Sequence, residues 1–246
     1  MISGAELFGK YAFPPNVLGY CGPPDSGLTA GLTTHDASRE MAHIVQQFDG
    51  AWPYLELIGG LSKRDPLDPR VVEAYWIGNE LLDGFDTLTW GNSVDDRFRA
   101  RAGSSWSSVE SGIIDGTPNH AFHVFCVYPW VGLLRSGYAD HALEVIDRCR
   151  IRWGTVEACV WPDVVVKFSP LTWDGATLAM GEPIVETLTG SLGSTEYEPG
   201  AVVSMHWGYV CEELSPRQAR HLRRQTARHL SIVNGLRRDL VGVLES

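Results

Sequence analysis

The chain has 246 residues, 44% hydrophobic and 10% aromatic, which is enough for one large domain or two modest ones and excludes general disorder. The formal net charge of −10 argues against broad nucleic-acid binding, in which a basic surface supplies much of the affinity. Five cysteines without regular spacing do not fit a secreted disulfide framework. Because a signal-peptide pattern and a membrane-length apolar stretch are also lacking, we expect a cytoplasmic protein that binds no membrane.

Helical patterns dominate the first 148 residues. The opening segment, up to about residue 34, is rich in proline and glycine and is expected to be irregular. Cap-and-proline pairs at 68–69 and 117–118 predict the starts of two helices, and Pro129 should break the second. A further helix is predicted over residues 139–148. Apolar residues recur with the helical period in one more segment, at Met41, Ile44, Val45 and Phe48.

The period of the apolar pattern shortens to two after residue 148. About five short strands follow, separated by turn residues, and this spacing predicts a small closed or nearly closed antiparallel barrel. Ser215, Pro216 and Gln218 form a capping-box start for a C-terminal helix. We therefore predict an α+β protein, with a helical domain over residues 1–148 and a β-barrel plus C-terminal helix over residues 149–246.

Two motifs lie at the beginning and the end of the predicted barrel. Cys149 opens a Cys-x4-Gly-x-Val motif, and His206 opens a His-x-Gly-Tyr motif on a later strand. This pair of motifs resembles the HypC/HupF family of nickel–iron hydrogenase assembly chaperones, over about residues 149–235. The resemblance implies an OB-like five-stranded barrel completed by a C-terminal helix. It also implies a chaperone rather than an enzyme.

The resemblance further implies a metal site. In that family a cysteine and a histidine hold an iron with cyanide and carbonyl ligands, Fe(CN)2CO, which later passes to the hydrogenase large subunit. Cys149 would be the thiolate ligand and His206 the imidazole ligand. A thiolate suits such low-spin iron, and two protein ligands are few enough for the group to be released. Arg150 and Arg152 either donate hydrogen bonds to the cyanide nitrogens or point outward from a strand.

Three segments of the first half carry a second resemblance. The strings YAFPP from Tyr11, LGYCG from Leu18 and HAFHVF from His120 resemble an actinobacterial family of unknown function that is associated with hydrogenase gene clusters. This resemblance implies the same cellular context as the chaperone motifs. We therefore expect the partners to be the hydrogenase large-subunit precursor, other maturation proteins, or both.

A second candidate metal site lies in the helix predicted after residue 118. His120, His123 and Cys126 could bind zinc or iron if Cys21 and Asp25 supplied further ligands. The alternative interpretation is a buried helix whose histidines bond to backbone or water. A metal-dependent enzyme with its site in the helical domain is the alternative function that depends on this set. A metal-free protein-interaction module is the other alternative.

The predicted C-terminal helix carries an arginine-rich outer face although the chain as a whole is acidic. This face is either solvated or a docking surface for an acidic partner. RNA binding is not expected, because the predicted barrel lacks the aromatic and basic strips on which bases stack. The candidate partner-binding residues are Arg217, Arg220, Arg224 and Arg228.

Overall fold

The computed structural model describes residues 2–24, 41–85, 87–102, 106–128, 130–194 and 196–244. Helices occupy the N-terminal part, an antiparallel sheet follows, and a long helix comes after the sheet. This arrangement confirms the predicted α+β class and the predicted order of elements. Within the described ranges, no helix combines the length and the apolar character needed to cross a membrane.

The helices before the sheet are mostly short, and one of them continues as a π-helical turn. Residues 41–45 are helical, in the segment where an apolar period predicts a helix. In chain order the helices are α1 (Gly4–Val17), α2 (Trp52–Ser62), α3 (Pro69–Trp76), a 3-10 turn (Glu80–Leu82), α4 (Thr87–Ala102), α5 (Trp106–Ile113), α6 (His120–Phe122) with the π turn (His123–Val127), α7 (Trp130–Arg135), α8 (Ala139–Cys149) and, after the sheet, α9 (Pro216–Leu244).

Side-chain caps explain where several of these helices begin. Asp68 accepts a hydrogen bond from the Arg70 amide at 2.8 Å, so α3 starts at the predicted position. Ser215 and Gln218 form the predicted capping box before α9. The helix expected after residue 118 is instead capped by Asn119, whose side chain accepts from the Ala121 amide at 3.0 Å. Its π turn ends before residue 129, which lies outside the described ranges.

The opening segment is not irregular throughout, contrary to the prediction, because residues 4–17 form α1. Ser3 and Glu6 build a capping box, with Ser3 Oγ accepting from the Glu6 amide at 3.2 Å and Glu6 accepting from the Ser3 amide at 2.8 Å. Pro14 and Pro15 lie in the last turn of the helix, and because proline has no backbone N–H, they leave the carbonyl groups of Lys10 and Tyr11 without their usual intrahelical donors. The rest of that segment, from residue 25, lies outside the described ranges.

Five strands form one antiparallel sheet in the order β5-β2-β1-β6-β7. The strands are β1 (Arg152–Val160), β2 (Asp163–Phe168), β5 (Ile184–Thr189), β6 (Val202–His206) and β7 (Tyr209–Glu213), and a separate hairpin pairs β3 (Leu171–Trp173) with β4 (Leu178–Met180).

The sheet is not a closed barrel, so of the two predicted forms, closed and nearly closed, the closed form is wrong. Its edge strands β5 and β7 approach each other just after β5, where Ser191 makes an isolated parallel bridge with Val210. Only two backbone hydrogen bonds join the edges there, from Val210 to Gly190 at 3.1 Å and from Leu192 to Val210 at 2.8 Å. The chain then leaves the sheet for the loop before β6, so no continuous ladder forms between the two edges.

The described residues form two apolar cores. The smaller core lies within the sheet and includes Val164, Val166 and Val203. The larger core joins the N-terminal helices to residues of the second half, such as Trp207 and Leu222. The predicted division after residue 148 coincides with the change from helices to strands, and the larger core extends across it.

Candidate metal centre

Three side chains with metal-binding atoms meet where the helices contact the sheet. His120 is the first residue of α6, Cys149 is the last of α8, and His206 is the last of β6. One ligand atom from each lies within 4.8 Å of the other two, and all three side chains are buried. No other group of three histidine, cysteine or carboxylate side chains with this geometry occurs among the described residues. We call these residues the ligand cluster.

Backbone contacts hold the three elements together at the ligand cluster. The Trp207 amide donates to the Arg148 carbonyl oxygen at 2.9 Å, which fastens the end of β6 to the end of α8. His120 Nε2 donates to the Cys149 carbonyl oxygen at 2.8 Å, which fastens α6 to the same helix end. Carbonyl groups in the last turn of a helix have no intrahelical partner, so the end of α8 is free to accept these bonds.

His206 presents a free ring nitrogen. Its Nδ1 donates to the Tyr11 carbonyl oxygen at 2.6 Å, and because a carbonyl can only accept, the proton is on Nδ1. Nε2 therefore carries a lone pair, and this atom is buried without a hydrogen-bond partner among the described residues. The Cys149 carbonyl lies near both rings, but it accepts a well-formed hydrogen bond only from His120. His206 thus has the form of an oriented imidazole ligand.

His120 has the opposite tautomer. Its Nε2 carries the proton that is donated to Cys149, so its Nδ1 accepts from the Tyr75 hydroxyl at 3.3 Å. The bond to Tyr75 is long, and breaking it frees the Nδ1 lone pair. His120 therefore has two roles open to it, as a third ligand and as the residue that positions the backbone of Cys149.

Burial sets the protonation of the cluster. It lowers the pKa of His206 to about 3, with the neighbouring His120 contributing in the same direction. Burial also lowers the pKa of His120 to about 4, against the opposing effect of its bond to the Cys149 carbonyl. The pKa of the Cys149 thiol is raised well above its usual range by burial. At neutral pH the cluster is therefore two neutral imidazoles and one thiol, and a metal that binds the sulfur must displace its proton.

An indole packs against both histidines. The Trp76 ring centroid lies 4.6 Å from that of His120 and 5.7 Å from that of His206, and the two imidazole centroids are 5.3 Å apart. Trp76 is 3% exposed, so water has little access from this side. The indole is also a fluorophore placed directly beside the ligand cluster.

The two arginines that follow Cys149 are both buried, so neither points outward from a strand. Arg150 donates to Asp147 Oδ1 and to the Ser169 carbonyl oxygen, each at 2.9 Å. Arg152 pairs with Glu186 at 3.0 Å and donates to the Trp207 carbonyl oxygen. Arg152 Nε and Arg150 Nη1 have no hydrogen-bond partner among the described residues. The prediction that these side chains donate to ligands of a bound metal remains a prediction.

The second predicted set is divided by the fold. His120 belongs to the ligand cluster, whereas His123 Nδ1 lies 3.2 Å from the Tyr54 hydroxyl. The change from α-helical to π-helical geometry at residue 123 alters the spacing from which a common face was predicted. Burial raises the pKa of the Cys126 thiol to about 12. Within the described residues the set does not form a group of ligands, and Asp25, one of its proposed additions, lies outside them.

Most of the predicted docking arginines make contacts within the chain. Arg217 pairs with Glu80 at 2.7 Å, and Arg224 pairs with Asp83. Arg228 Nε donates to the carbonyl oxygen of residue 115 at 2.5 Å. Arg220 is exposed. Arg217 and Arg224 thus pair α9 with acidic side chains near the 3-10 turn, and the part of the arginine face in binding a partner stays a prediction.

An open groove of about 640 Å³ lies between α2 and α4. Glu56 and Asp96 are among its lining residues, and none of the described residues that line it is a histidine or a cysteine. It shares no residue with the ligand cluster.

Sequence reasoning placed Cys149 and His206 in one site but assigned His120 to another. It also missed Tyr11, which orients His206, and Trp76, which packs against both histidines. These residues come from separate helices and strands, and no local spacing relates them. The sequence carries one indication of this kind, for His120, which directly follows the helix-capping residue Asn119.

Comparison with known proteins identifies a family without a known activity. The model of a family described as "Family of unknown function (DUF6390)" matches residues 1–239. No curated protein and no solved structure matches the chain. The functional argument therefore depends on the geometry of the ligand cluster.

Proposed function

The chain belongs to the DUF6390 family of unknown function, and we propose that it is a non-enzymatic accessory protein that carries iron during the assembly of a nickel–iron hydrogenase. The observation that supports this proposal is the ligand cluster, in which one thiol and two imidazoles lie within 4.8 Å of one another. Buried polar groups are normally paired, and the unpaired Nε2 of His206 is explained if a metal ion is its partner.

The donor set suits a transition metal that is bound and later released. A thiolate and imidazoles favour iron, zinc or copper over the hard cations magnesium and calcium. Three protein ligands leave at least one coordination position for other ligands, whereas a structural site is closed by four. Cys149 and His206 are the main ligands in this proposal, and His120 is the third.

The assignment to hydrogenase assembly depends on the two sequence motifs and on the proximity of the cysteine and the histidine that open them. Cys149 and His206 are the residues that the chaperone resemblance nominates, and both belong to the ligand cluster. The cargo in this proposal is iron as Fe(CN)2CO. The partner is the hydrogenase large-subunit precursor, another maturation protein, or both.

Release of the cargo follows from ligand exchange. Thiolates of the acceptor replace Cys149 on the iron, and the displaced Cys149 sulfur takes up a proton, because burial favours the neutral thiol. His206 returns to the neutral form that it has without metal. The proton taken up at Cys149 balances the one lost on loading, so the carrier ends the cycle unchanged.

The test is infrared spectroscopy of the protein purified without oxygen from cells that also express a hydrogenase maturation system. We expect cyanide and carbonyl stretching bands together with bound iron. Cys149→Ser and His206→Gln should each remove the bands and the iron. Cys159→Ser is the matched control, because this thiol lies in β1 outside the ligand cluster, and it should leave both signals unchanged.

The outcomes separate the parts of the proposal. Iron without cyanide or carbonyl bands would leave a metal site and refute the hydrogenase cargo. A protein that binds neither added Fe²⁺ nor the precursor would refute the function as a whole. A protein that captures the large-subunit precursor but no metal would be a metal-free targeting factor.

A further inference from the structure

The turn between β6 and β7, residues 207–208, contains a tryptophan in a backbone conformation that bulky side chains rarely adopt. Trp207 directly follows His206, and its φ of 53° lies in the left-handed region. A hairpin turn of this length with positive φ at its first position normally has glycine, asparagine or aspartate there. For a bulky residue such a φ is strained, and the strain persists only where the surrounding structure holds the residue in place.

Three specific contacts hold Trp207 in this conformation, besides its packing in the larger core. Its amide donates to the Arg148 carbonyl oxygen at 2.9 Å, and its own carbonyl oxygen accepts from the Arg152 guanidinium. Its ring stacks on the Tyr20 ring, with centroids 4.1 Å apart. Trp207 is 4% exposed, whereas Tyr20 is 47% exposed. The ring stack is therefore a contact that can be broken from the solvent side.

The same turn connects two members of the ligand cluster. His206 precedes Trp207, and Cys149 follows Arg148, whose carbonyl oxygen accepts from the Trp207 amide. A change at Trp207 that breaks this bond frees the end of β6 from the end of α8. His206 is 1% exposed and Cys149 is 8% exposed, so a metal reaches them only after some element shifts. The strained turn is an element whose shift would separate the two side chains.

We propose that the turn at Trp207 is the gate of the metal site and that the ring of Tyr20 is its latch. This inference rests on the proposed metal site. In the closed state the stack on Tyr20 holds Trp207 in its left-handed conformation, and His206 stays beside Cys149. When the stack breaks, Trp207 relaxes to an unstrained conformation and loses its bond to Arg148. The metal enters and leaves through this open state.

The two sides of this equilibrium are of similar size. A left-handed conformation at a bulky residue costs free energy, and an aromatic stack contributes an amount of the same order in return. The closed state is therefore favoured without being locked. A metal that binds His206 and Cys149 together binds the closed state better than the open one, so loading shifts the population toward closure.

The test measures metal exchange with Co²⁺ in the full chain without oxygen, following cobalt absorption after mixing and its loss to excess chelator. Tyr20→Ala should raise the rates of binding and of loss by a common factor of about 2–12, which corresponds to the contribution of one aromatic stack. Because both rates scale with the open population, the dissociation constant should change much less than either rate. Tyr20→Phe keeps the stack and should match the wild type.

The matched control is Tyr138→Ala, because the Tyr138 side chain is 70% exposed, and it should leave both rates unchanged. Unchanged rates in Tyr20→Ala would overturn the gate and leave the three-residue metal site standing. Faster loss without faster binding would also overturn the gate, because it would mean that Tyr20 only strengthens metal binding. A wild-type chain that binds no cobalt, iron or zinc would instead overturn the proposed function, and the gate with it.

A second measurement uses the wild-type chain, so it does not depend on how a variant folds. Deuterium uptake by the peptide that contains Trp207, quantified by mass spectrometry, reports opening of the bond between its amide and Arg148. Bound Co²⁺ should slow this uptake, and Tyr20→Ala without metal should speed it by about the factor seen in the exchange rates. Uptake that is the same with and without Co²⁺ would overturn the gate.

Discussion

At the scale of single residues, burial decides the chemistry of the histidines. His120, His206 and His229 are buried, and burial lowers the pKa of each, to about 4, 3 and 4 respectively. Each ring keeps one hydrogen bond to a backbone carbonyl oxygen, which fixes its tautomer. All three are therefore neutral at physiological pH. This is the form in which an imidazole binds a metal.

The same burial predicts a loss of stability in acid. The unfolded chain protonates these histidines near their ordinary pKa of 6.5, while the folded protein does not, so the unfolded state binds more protons as the pH falls below 6.5. For each of these histidines, the free energy of unfolding should fall by up to about 1.4 kcal/mol for each unit by which the pH is lowered. This decrease ends as the pH approaches the pKa of that histidine in the folded protein. Urea unfolding of the metal-free protein between about pH 7 and pH 5 measures this slope.

His229 isolates the effect from metal binding, because it is not a member of the ligand cluster. His229→Gln should reduce the slope by the contribution of one proton. His43 is exposed, and His43→Gln provides the control for the substitution itself. Equal slopes in the wild type and His229→Gln would show that His229 does not stay neutral in the folded protein.

At the scale of elements, α1 is the unexpected support of the metal centre. The Tyr11 carbonyl oxygen accepts from His206 on β6, and the Tyr11 hydroxyl donates to Glu212 on β7 at 2.6 Å. The same hydroxyl lies 2.9 Å from Ser204 Oγ. Tyr11 also stacks on Trp76 with centroids 5.4 Å apart. One residue of α1 therefore bonds to both β6 and β7 and also packs against the indole beside the ligand cluster.

Removing the Tyr11 hydroxyl should weaken this junction. Burial raises the pKa of Glu212, and the bond from Tyr11 opposes that rise. Tyr11→Phe leaves the Glu212 carboxylate without this donor, so we expect a loss of about 1–3 kcal/mol of unfolding free energy at neutral pH, and less in acid once Glu212 is protonated. Urea denaturation at the two pH values measures both effects.

The control for this change is Tyr138→Phe, because the Tyr138 side chain is 70% exposed and should contribute little. The backbone carbonyl of Tyr11 remains in the variant, so His206 keeps its orientation. Metal affinity should therefore change far less than stability. A variant with unchanged stability would mean that water replaces the lost hydroxyl at Glu212.

At the scale of the whole molecule, one core joins the two predicted domains. The N-terminal helices share the larger core with Trp207, Leu214, Leu222 and Leu230 of the second half. Helix α9 contacts α5, α6 and the π turn, and it also contacts β4. The ligand cluster itself takes residues from both halves. A separate unit over residues 1–148 would expose a large apolar surface, at a cost of about 25 cal/mol for each Å².

This shared core predicts a single cooperative unfolding transition. Far-ultraviolet circular dichroism and tryptophan fluorescence should give the same midpoint in urea, since the tryptophans are spread through the chain and the larger core spans both halves. Separately expressed fragments 1–148 and 149–246 should not give native-like spectra. Two resolved transitions, or a stably folded C-terminal fragment, would show instead that the two units are independent.

Local patterns predicted much of the fold. The start of α3 at Asp68, the capping box before α9, and the change from helical to alternating periodicity near residue 148 are properties of short segments, and the structure has each of them. Helix α1 was missed because two prolines masked a capped apolar helix. The closed form of the predicted barrel was wrong, because a list of strands does not reveal how far the ladder between the two edges continues.

The residues of the candidate metal centre fall into the same two groups, those that local patterns predicted and those that only the tertiary structure brought together. Cys149 and His206 were nominated by the resemblance of their two motifs to those of the chaperone family, and each motif is read within a few residues. His120 and Tyr11 were associated with these two by the packing of α6 and α1 against the ends of α8 and β6. Such contacts join residues far apart in the chain, and their free energy comes from burial and hydrogen bonds that exist only after the helices and the sheet have docked.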